Sequence, residues 1–309
     1  MIAVSIDIGT NTTLALLAER DGGGLRILKD QLAPNYLGEA LKKGPTLPRD
    51  VLALNVDLVA ELVRDFRRAG AEGFAVTGTA ALRRAENRAE FIAAVREIVG
   101  VQVEVIGGRD EAALTYMGAL SGREIFPGER VCVMDLGGGS TEIIEGRGMV
   151  AGQGYSIDVG SVYLTNEFFR DDPPTEEQIN FLRANLRDRL PLLVGNLRGA
   201  RCPWILVGGT AVTLAILKAG LRRYDPQAVG GSLLSASDID WLTESFLGRS
   251  SDELQCTPGM PSGRGKSILA GTILLKEMLT ALDQDEGIVS ERGLRHGVWL
   301  AKFAQRGRG

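Results

Sequence analysis

Asp7-Ile8-Gly9-Thr10-Asn11-Thr12 and Asp135-Leu136-Gly137-Gly138-Gly139-Ser140-Thr141-Glu142 are two acidic, glycine-rich turns, and they decide the fold of this chain. Each follows a short apolar run, residues 2–6 or 131–134, and leads into another apolar stretch. This order predicts a strand, a tight turn and a second strand. Glycines let a backbone approach a ligand closely, and successive N–H groups in such a turn can bind an anion. Two such turns that face each other would hold a chain of phosphates.

The sequence after the first turn predicts alternating helices and strands. Apolar residues recur at helical spacing up to Gly70, a residue typical of a helix end. The predicted elements are three strands (2–8, 12–20 and 25–33, with a turn at 22–24), a helix (49–69), a strand (74–77), a helix (87–99), a strand (101–106) and a helix (110–120). The segment 121–129 holds two glycines and a proline and is the predicted domain boundary.

The pattern then restarts at the second turn. The predicted elements are three strands (130–135, 141–146 and 149–156), two helices (158–169 and 175–196), a strand (204–207), helices at 209–220, 237–247 and 266–282 with a loop at 249–263, a strand (288–290) and a terminal helix (293–305). The repeated order predicts an α/β fold of two duplicated domains with a central cleft. We assign residues 1–121 to the first domain and 122–309 to the second, with 293–309 as a segment that could pack back on the first.

Composition narrows the class of protein. The chain has 35 basic and 39 acidic residues, a formal net charge of −4, and 44% hydrophobic residues. A sizeable core is therefore expected, and a nonspecific nucleic-acid partner is not. Three scattered cysteines, no basic leader and no apolar run of about 18 residues predict a cytoplasmic protein without a membrane partner. The single histidine, His296, excludes sites that need two histidines, so acid–base chemistry should rest on carboxylates.

Several stretches, in order along the chain, carry a resemblance to a known family. Besides the two turns, they are Thr79-Ala80-Ala81-Leu82-Arg83-Arg84-Ala85-Glu86-Asn87, Ile106-Gly107-Gly108-Arg109-Asp110-Glu111-Ala112, Val207-Gly208-Gly209-Thr210 and Ser290-Glu291-Arg292-Gly293-Leu294-Arg295. Together they resemble the exopolyphosphatase / guanosine pentaphosphate phosphatase (Ppx/GppA) family, in its short two-domain form. That family lies in the actin–hexokinase–Hsp70 superfamily, so the resemblance implies two actin-like (ribonuclease H-like) α/β domains.

Three positions depart from the pattern of that family. Asp110 stands where a pair of glutamates usually begins, and Gly263-Arg264-Gly265-Lys266 replaces a segment that usually contains an acidic residue after the arginine. His296 stands where the family often has glutamate. The change at Asp110 is conservative. The other two bear on substrate preference more than on fold.

The resemblance assigns roles to the carboxylates. Glu111 is the candidate catalytic base, although a glutamate in the first turn of a helix also complements the helix dipole. Glu142 is the second catalytic candidate, as a carboxylate that orients water or binds a metal. Asp7 and Asp135 are the expected Mg²⁺ ligands, because Mg²⁺ usually takes one or two carboxylates together with phosphate oxygens. Mn²⁺ is a candidate substitute and K⁺ a candidate additional cation.

Phosphate binding is expected from three backbone turns and one arginine. The residues are Gly9, Thr10, Asn11, Gly137, Gly138, Gly139, Ser140, Thr141, Gly208, Gly209 and Arg83. The guanidinium of Arg83 matches phosphate bidentately. Other basic residues could line a path for a polyanion, although each is by itself more often a solvated surface charge: Arg84, Arg88, Arg109, Arg264, Lys266 and Arg295.

The leading interpretation is a Mg²⁺-dependent phosphohydrolase that releases terminal phosphate from polyphosphate, from guanosine pentaphosphate, or from both. A kinase of the same superfamily is one alternative, and it would need an adenosine pocket near Gly208 and a base for an acceptor hydroxyl. A non-catalytic sensor of the alarmone nucleotide is the other, but a pure binder has no need of a base. The sequence leaves the oligomeric state open, and a homodimer is one candidate, because C2 pairs are common among cytosolic enzymes.

Overall fold

The computed structural model of the chain describes residues 1–21, 24–42 and 44–304. These residues fall into two compact units. The first is Met1–Glu124 with the described part of Arg292–Gly309, and the second is Ile125–Glu291. The predicted turn at 22–24 and the last residue of the predicted helix 293–305 lie partly outside the described residues.

The first unit is built on a five-stranded sheet in the order β3-β2-β1-β4-β5. Its strands are β1 (Ile2–Ile8), β2 (Thr12–Asp21), β3 (Gly24–Pro34), β4 (Gly73–Gly78) and β5 (Val103–Val105). Its helices are α1 (Leu37–Leu41), α2 (Arg49–Arg68), α3 (Ala80–Arg84), α4 (Arg88–Val99) and α5 (Gly108–Leu120). Strand β1 pairs with β2 in antiparallel and with β4 in parallel orientation, so it is the centre of the sheet.

The second unit repeats this plan in a six-stranded sheet, β10-β11-β9-β6-β7-β8. Its strands are β6 (Arg130–Leu136), β7 (Thr141–Arg147), β8 (Val150–Ile157), β9 (Trp204–Val207), β10 (Leu233–Ser235) and β11 (Glu286–Val289). Its helices are α6 (Ser161–Phe168), α7 (Glu176–Val194), α8 (Gly209–Lys218), α9 (Pro226–Val229), α10 (Ala236–Phe246), α11 (Ser251–Gln255) and α12 (Ile268–Leu282), with a 3-10 turn at Gly195–Leu197.

The strand order is the same in the two units. Reading β8-β7-β6-β9-β11 gives the order that β3-β2-β1-β4-β5 gives in the first unit, and β10 adds an antiparallel edge strand. In each unit the sequence of the central strand explains its position. A strand that helices cover on both faces is nearly continuously apolar. Both β1 and β6 are such runs, and each is interrupted by an aspartate near its carboxyl end. This repeat confirms the predicted fold class, two duplicated actin-like α/β domains.

The structure corrects several predicted elements. The sequence pattern missed the short helices α1, α3 and α9 and the edge strand β10. The predicted loop 249–263 contains α11, which begins with a capping box at Ser250. Elements of four or five residues give too few turns for a periodic pattern, so their formation depends on caps and packing.

The last described segment of the chain lies in the first unit. It forms α13 (Leu294–Trp299) and then a single π-helical segment, Leu300–Ala304, in place of one continuous predicted helix. The buried indole N–H of Trp299 donates to the carbonyl of Ala3 at 3.0 Å, and Ser5 Oγ donates to the carbonyl of Arg295 at 2.6 Å. These bonds attach α13 directly to the central strand β1. The units therefore differ from the ranges 1–121 and 122–309 at residues 122–124 and in this segment.

Helices α5 and α13 pack closely because each presents a glycine to the other. A Cβ atom added at Gly118 would collide with the carbonyl oxygen of Gly293, and one added at Gly297 would collide with the carbonyl of Leu114. In both cases the neighbour is backbone, which cannot move as a side-chain tip can. This contact holds α5, which carries Glu111, against the rest of the first unit.

None of the helices in the described residues is long and apolar enough to cross a bilayer.

Gly297→Ala is expected to lower the free energy of unfolding by about 1–3 kcal/mol, because the added methyl group overpacks the α5–α13 contact. Thermal unfolding measures the effect. Gly195→Ala is the matched control, since nothing lies within 4 Å of its added Cβ and its backbone is helical, with φ −55° and ψ −30°. Equal melting temperatures for the two variants would contradict the packing argument.

Candidate functional site

Both acidic turns are closed by the same backbone hydrogen bond. In the first unit, the N–H of Gly9 donates to the carbonyl of Thr12 at 3.0 Å, and in the second the N–H of Gly137 donates to the carbonyl of Ser140, also at 3.0 Å. A residue's N–H is thus tied to the carbonyl three positions later, just beyond the end of the central strand. Successive N–H groups in a turn of this kind form a concave site for an anion.

The first turn is fixed from behind through its carbonyl groups. The backbone N–H of Asn35 donates to the carbonyl of Asn11 at 3.0 Å, and the N–H of Gly38 donates to that of Thr10 at 2.6 Å. Among the described residues, the backbone N–H groups of Thr10 and Asn11 have no hydrogen-bond acceptor. The carbonyls are therefore occupied while these two donors remain for a ligand.

Two buried asparagines hold this arrangement, and the sequence analysis missed both. The side-chain amide of Asn35 donates to the carbonyl of Gly9 at 2.9 Å, and that of Asn55 donates to the carbonyl of Asn35, also at 2.9 Å. Both residues are at most 1% exposed. A buried amide is costly unless it is hydrogen-bonded, so asparagine in an apolar stretch, such as Asn55 inside α2, is the signal that could have identified them.

The second turn is supported by the helix that follows its hairpin. The N–H groups of Val162 and Tyr163 donate to the carbonyl of Gly138 at 2.8 and 2.9 Å, and the N–H of Ser161 donates to that of Gly137 at 3.0 Å. The turn thus occupies the N-terminus of α6 with its own carbonyls. Within the described residues, the N–H groups of Gly138, Gly139 and Ser140 have no acceptor. As in the first unit, the carbonyls are bound and the donors remain.

The glycines of the second turn serve different purposes. A Cβ at Gly137 would lie 2.9 Å from the carbonyl oxygen of Ser140, so the closed turn itself requires glycine there. A Cβ at Gly139 would meet no atom within 4 Å, and the backbone φ is not positive. The space around Gly139 would therefore admit a ligand close to the backbone.

Thr141 is placed differently from the other residues of this turn. It is fully buried, and its hydroxyl donates to the carbonyl of Val159 at 2.7 Å. Successive side chains of a strand point to opposite faces. Glu142 is half-exposed, so Thr141, the residue before it on β7, points to the inner face. The hydroxyl of Thr141 therefore supports the turn from inside rather than facing a ligand.

Gly208 and Gly209 allow a third close approach, at the start of α8. Gly208 has φ +98°, and a Cβ there would press on the carbonyl oxygen of Leu136 and lie 3.0 Å from Oδ1 of Asp135. A Cβ at Gly209 would collide with the guanidinium of Arg264. The predicted third turn is thus adjacent to the second, with an arginine against it.

Arg264 is not the solvated surface charge that is usual for a lone arginine. Its side chain is half-buried beside Gly209, and no acidic partner is found for it among the described residues. Burial lowers the pKa of its guanidinium. An unpaired cation next to two glycine turns is a ready partner for a phosphate group.

In the first unit, Glu111 is held by Arg83. Arg83 Nη1 donates to Glu111 Oε2 at 2.6 Å and to the carbonyl of Ile106 at 2.9 Å. The side chain of Glu111 is 27% exposed and that of Arg83 is 31% exposed, so the ion pair is open to solvent on one side. Arg83, which the sequence predicts as a phosphate ligand, thus orients the predicted base. Its other guanidinium nitrogens, Nε and Nη2, make no hydrogen bond to the described residues.

Asp7 has an unsatisfied carboxylate at the end of β1. It is 8% exposed, and its Oδ1 is buried without a hydrogen-bond partner among the described residues. Burial raises the pKa of Asp7 to about 7, the nearby Glu111 carboxylate adds to the increase, and Arg295 opposes it. A buried charged oxygen without a partner is expensive unless a cation compensates it. This oxygen therefore fits a metal ligand.

The donor set suits Mg²⁺. The described residues contain no group of three or more His, Cys, Asp and Glu side chains that could hold a metal ion by themselves. Mg²⁺ is usually bound through one or two carboxylates, with water and substrate phosphates completing its octahedron. A single buried carboxylate such as Asp7 fits this mode of Mg²⁺ binding, in which water and phosphate supply the other ligands.

Asp135 and Glu142 form the acidic pair of the second unit. They are directly opposite each other in the antiparallel β6–β7 ladder, so their side chains share one face of the sheet. Ser156 Oγ donates to Glu142 Oε1 at 3.0 Å. Two like charges at a directly opposed position repel each other, and a bound cation would relieve that repulsion.

Two residues near the end of the chain belong to the scaffold of the first unit. Arg295 makes a bidentate ion pair with Asp30, at 2.9 and 2.6 Å, and is not a free cation for a substrate path. His296 is fully buried, and its Nδ1 accepts from the N–H of Gly293 at 3.3 Å. Burial, with the nearby Arg295 and Arg292, lowers the pKa of His296 well below its ordinary value, so the imidazole is neutral.

Known proteins resemble this chain over nearly its whole length. The sequence model of the Ppx/GppA phosphatase family matches residues 16–305. The chain belongs to the Ppx/GppA phosphatase family. This membership confirms the family expected from the turn sequences and the predicted enzyme class, a phosphoanhydride hydrolase.

Individual relatives cover almost the whole chain. Exopolyphosphatase 2 of Mycobacterium tuberculosis is 29% identical over 96% of this chain and 97% of its own length. The crystal structure of the Aquifex aeolicus Ppx/GppA family member is 31% identical, covers 100% of this chain and 99% of its own, and has a TM-score of 0.87. An exopolyphosphatase structure from Cytophaga hutchinsonii, at 22% identity, has a TM-score of 0.85 over 97% of both chains and shows the shared fold.

Asp7→Asn is expected to stabilise the metal-free protein, and more so as pH rises. The folded-state pKa of Asp7 is raised from 3.8 to about 7, so its ionisation destabilises the fold above the unfolded pKa and does so fully above the folded one. The increase in the free energy of unfolding should reach at most about 4 kcal/mol at alkaline pH. Melting temperatures of both proteins with EDTA, at about pH 5 and pH 8.5, measure it. A difference that does not grow with pH would contradict the assignment.

Proposed function

We propose that this protein is a Mg²⁺-dependent phosphohydrolase that releases terminal phosphate from inorganic polyphosphate or from guanosine pentaphosphate. The observation that carries the proposal is the ion pair between Glu111 and Arg83 in the same unit as the unpaired carboxylate of Asp7. It combines a solvent-accessible base, held in one orientation, with a nearby place for a cation. Hydrolysis of a phosphoanhydride requires both, together with donors for the phosphate oxygens.

In this mechanism Glu111 accepts a proton from the attacking water. Its Oε2 is engaged by Arg83, which leaves the second oxygen, Oε1, to receive that proton. The arginine fixes the direction of the carboxylate, and its remaining N–H groups are positioned to contact a phosphate oxygen. A base that acts through a fixed orientation contributes a factor of about 10²–10⁴ to the rate.

Asp7 in the first unit would hold Mg²⁺, and Asp135 with Glu142 in the second unit would do the same. The bound ion would neutralise charge on the phosphate oxygens. Mn²⁺ is the natural substitute for Mg²⁺ in an oxygen-ligand site, and K⁺ remains a sequence-based expectation. The protein's own contribution is to hold these carboxylates beside the two turns, where burial opposes the ionisation of Asp7 and a bound cation would favour it.

The turns would bind the phosphates of the substrate. In each, the carbonyls are bound within the protein while successive N–H donors are not. Arg264, beside Gly209, adds a positive charge to the donors of the second unit. Both expected substrates present several adjacent phosphates, and the relatives named exopolyphosphatase favour polyphosphate as the first to test. A cytoplasmic location and a homodimer are further expectations from the sequence.

Glu111→Gln is expected to lower kcat at least about a hundredfold, because glutamine keeps the shape but cannot take a proton. Phosphate release from polyphosphate of defined length, guanosine pentaphosphate and ATP, with and without Mg²⁺, is the measurement. Glu90→Gln is the matched control, since Glu90 is an exposed glutamate in the first turn of α4. No phosphate release from any substrate by the native protein, with tight binding of the pentaphosphate nucleotide, would favour a sensor. Transfer of phosphate from ATP to an acceptor, without release of free phosphate, would favour a kinase.

Gly139→Ala is expected to reduce kcat/KM by about tenfold or more without a loss of stability. The methyl group would stand where a phosphate approaches, and a lost hydrogen bond to a charged group costs about 1.5–3 kcal/mol. The same variant should unfold at the native temperature or slightly higher, because alanine restricts the unfolded chain. Gly137→Ala, which clashes with Ser140, should instead lower the melting temperature. Unchanged kinetics of Gly139→Ala would remove the turn from the binding site.

A further inference from the structure

Two of the three cysteines lie side by side in the sheet of the second unit. Cys132 is on β6, and Cys202 precedes β9, the parallel neighbour of β6. The backbone N–H of Cys132 donates to the carbonyl of Pro203 at 3.0 Å, so the two chain segments are hydrogen-bonded at this point. The Sγ atoms of the two cysteines are 3.5 Å apart, and both thiols are free.

The two thiols differ in access. Cys132 is fully buried, whereas Cys202 is partly exposed, so a small reagent can reach only the latter from solvent. Arg130, two residues before Cys132 on the same strand, lies close enough to act on both sulfurs electrostatically, and its Nε bonds Glu145 at 2.8 Å. The pair thus has a partly exposed cysteine, a buried cysteine and a nearby arginine that is itself paired with Glu145.

This environment favours the thiolate on the accessible cysteine. The hydrogen bond with the Cys132 thiol lowers the pKa of Cys202 to about 7, and Arg130 adds to the decrease, while burial and the Glu145 carboxylate oppose it. The same hydrogen bond, with burial, raises the pKa of Cys132. One sulfur is therefore a nucleophile near neutral pH while its neighbour keeps its proton, which is the division of roles found in reactive cysteine pairs.

We propose that Cys132 and Cys202 form a redox modification site, at which a hydroperoxide oxidises the pair to a reversible intrachain disulfide. Nothing in the phosphohydrolase mechanism uses these residues. Buried cysteines more often serve as small apolar side chains, but an inert pair would not need one sulfur open to solvent beside an arginine.

The reaction balances with the peroxide as the only oxidant. The Cys202 thiolate attacks one oxygen of hydrogen peroxide, the O–O bond breaks, and hydroxide leaves and takes a proton to become water. The resulting sulfenic acid of Cys202 is attacked by the sulfur of Cys132, which gives up its proton. The S–O bond breaks as the S–S bond forms, and a second water leaves. Two thiols lose two electrons and two protons, and one peroxide becomes two waters.

The sulfurs need only a small movement to bond. A disulfide requires a separation of about 2.05 Å between the sulfurs, and the observed separation is 3.5 Å. Among the described cysteines, the third, Cys256, is exposed, lies on a different part of the unit and is not paired with either. It provides an internal control for unselective oxidation.

The test is peroxide treatment of the reduced full-length protein, followed by thiol counting under denaturing conditions and by peptide mass mapping without reductant. We expect the thiol count to fall from three to one, a single cross-linked peptide joining Cys132 to Cys202, and full recovery with dithiothreitol. Retention of all three thiols, a cross-link between separate chains, or irreversible oxidation of Cys202 without a cross-link would each overturn the proposal.

Two variants separate the roles of the cysteines. Cys256→Ser should form the same cross-link at the same rate. Cys132→Ala should give a sulfenic acid on Cys202 that progresses to the sulfinic acid. It should also shift the pH midpoint of Cys202 alkylation upward, because the hydrogen bond that lowers the Cys202 pKa is lost. An unshifted midpoint in a Cys132→Ala protein that melts normally would show that the sulfurs do not interact.

Discussion

The backbone hydrogen bond that closes each acidic turn, from a glycine N–H to the carbonyl three residues later, is the interaction on which both candidate sites depend. It forms at the end of a central strand whose position is fixed by neighbours on both sides. Because the strand is buried and paired along its length, the turn has little freedom to open. Its carbonyls are then bound by other elements, and its N–H donors remain for a ligand.

The two units reach this result with different supports. In the first, the buried Asn35 and the backbone N–H of Gly38 bind the turn carbonyls, and in the second the N-terminus of α6 does so. Both solutions satisfy backbone acceptors that would otherwise be costly inside the protein. The duplication therefore conserves the geometry of the turn while the residues that enforce it differ.

The candidate sites are also where the structure accepts unfavourable electrostatics. The unpaired oxygen of Asp7 costs stability in a protein without a cation. The half-buried Arg264 is an uncompensated charge of the opposite sign. Local violations of this kind are typical of functional sites, where a ligand or metal supplies the missing partner. Packing elsewhere, such as the glycine contact of α5 with α13, offsets them.

The sequence by itself determined the α/β class, the duplication, the two turns and the family, because apolar strand periodicity and acidic glycine turns are local patterns. The tertiary structure alone decided that α13 attaches to β1 and that Arg83 forms an ion pair with Glu111. It also decided that Thr141 faces inward and that Cys132 lies beside Cys202. It also revealed Asn35 and Asn55 as the supports of the first turn. Each of these depends on a contact between segments far apart in the chain, or on which face of a strand is covered. Local spacing carries no information about such contacts, since they form only when the sheets assemble.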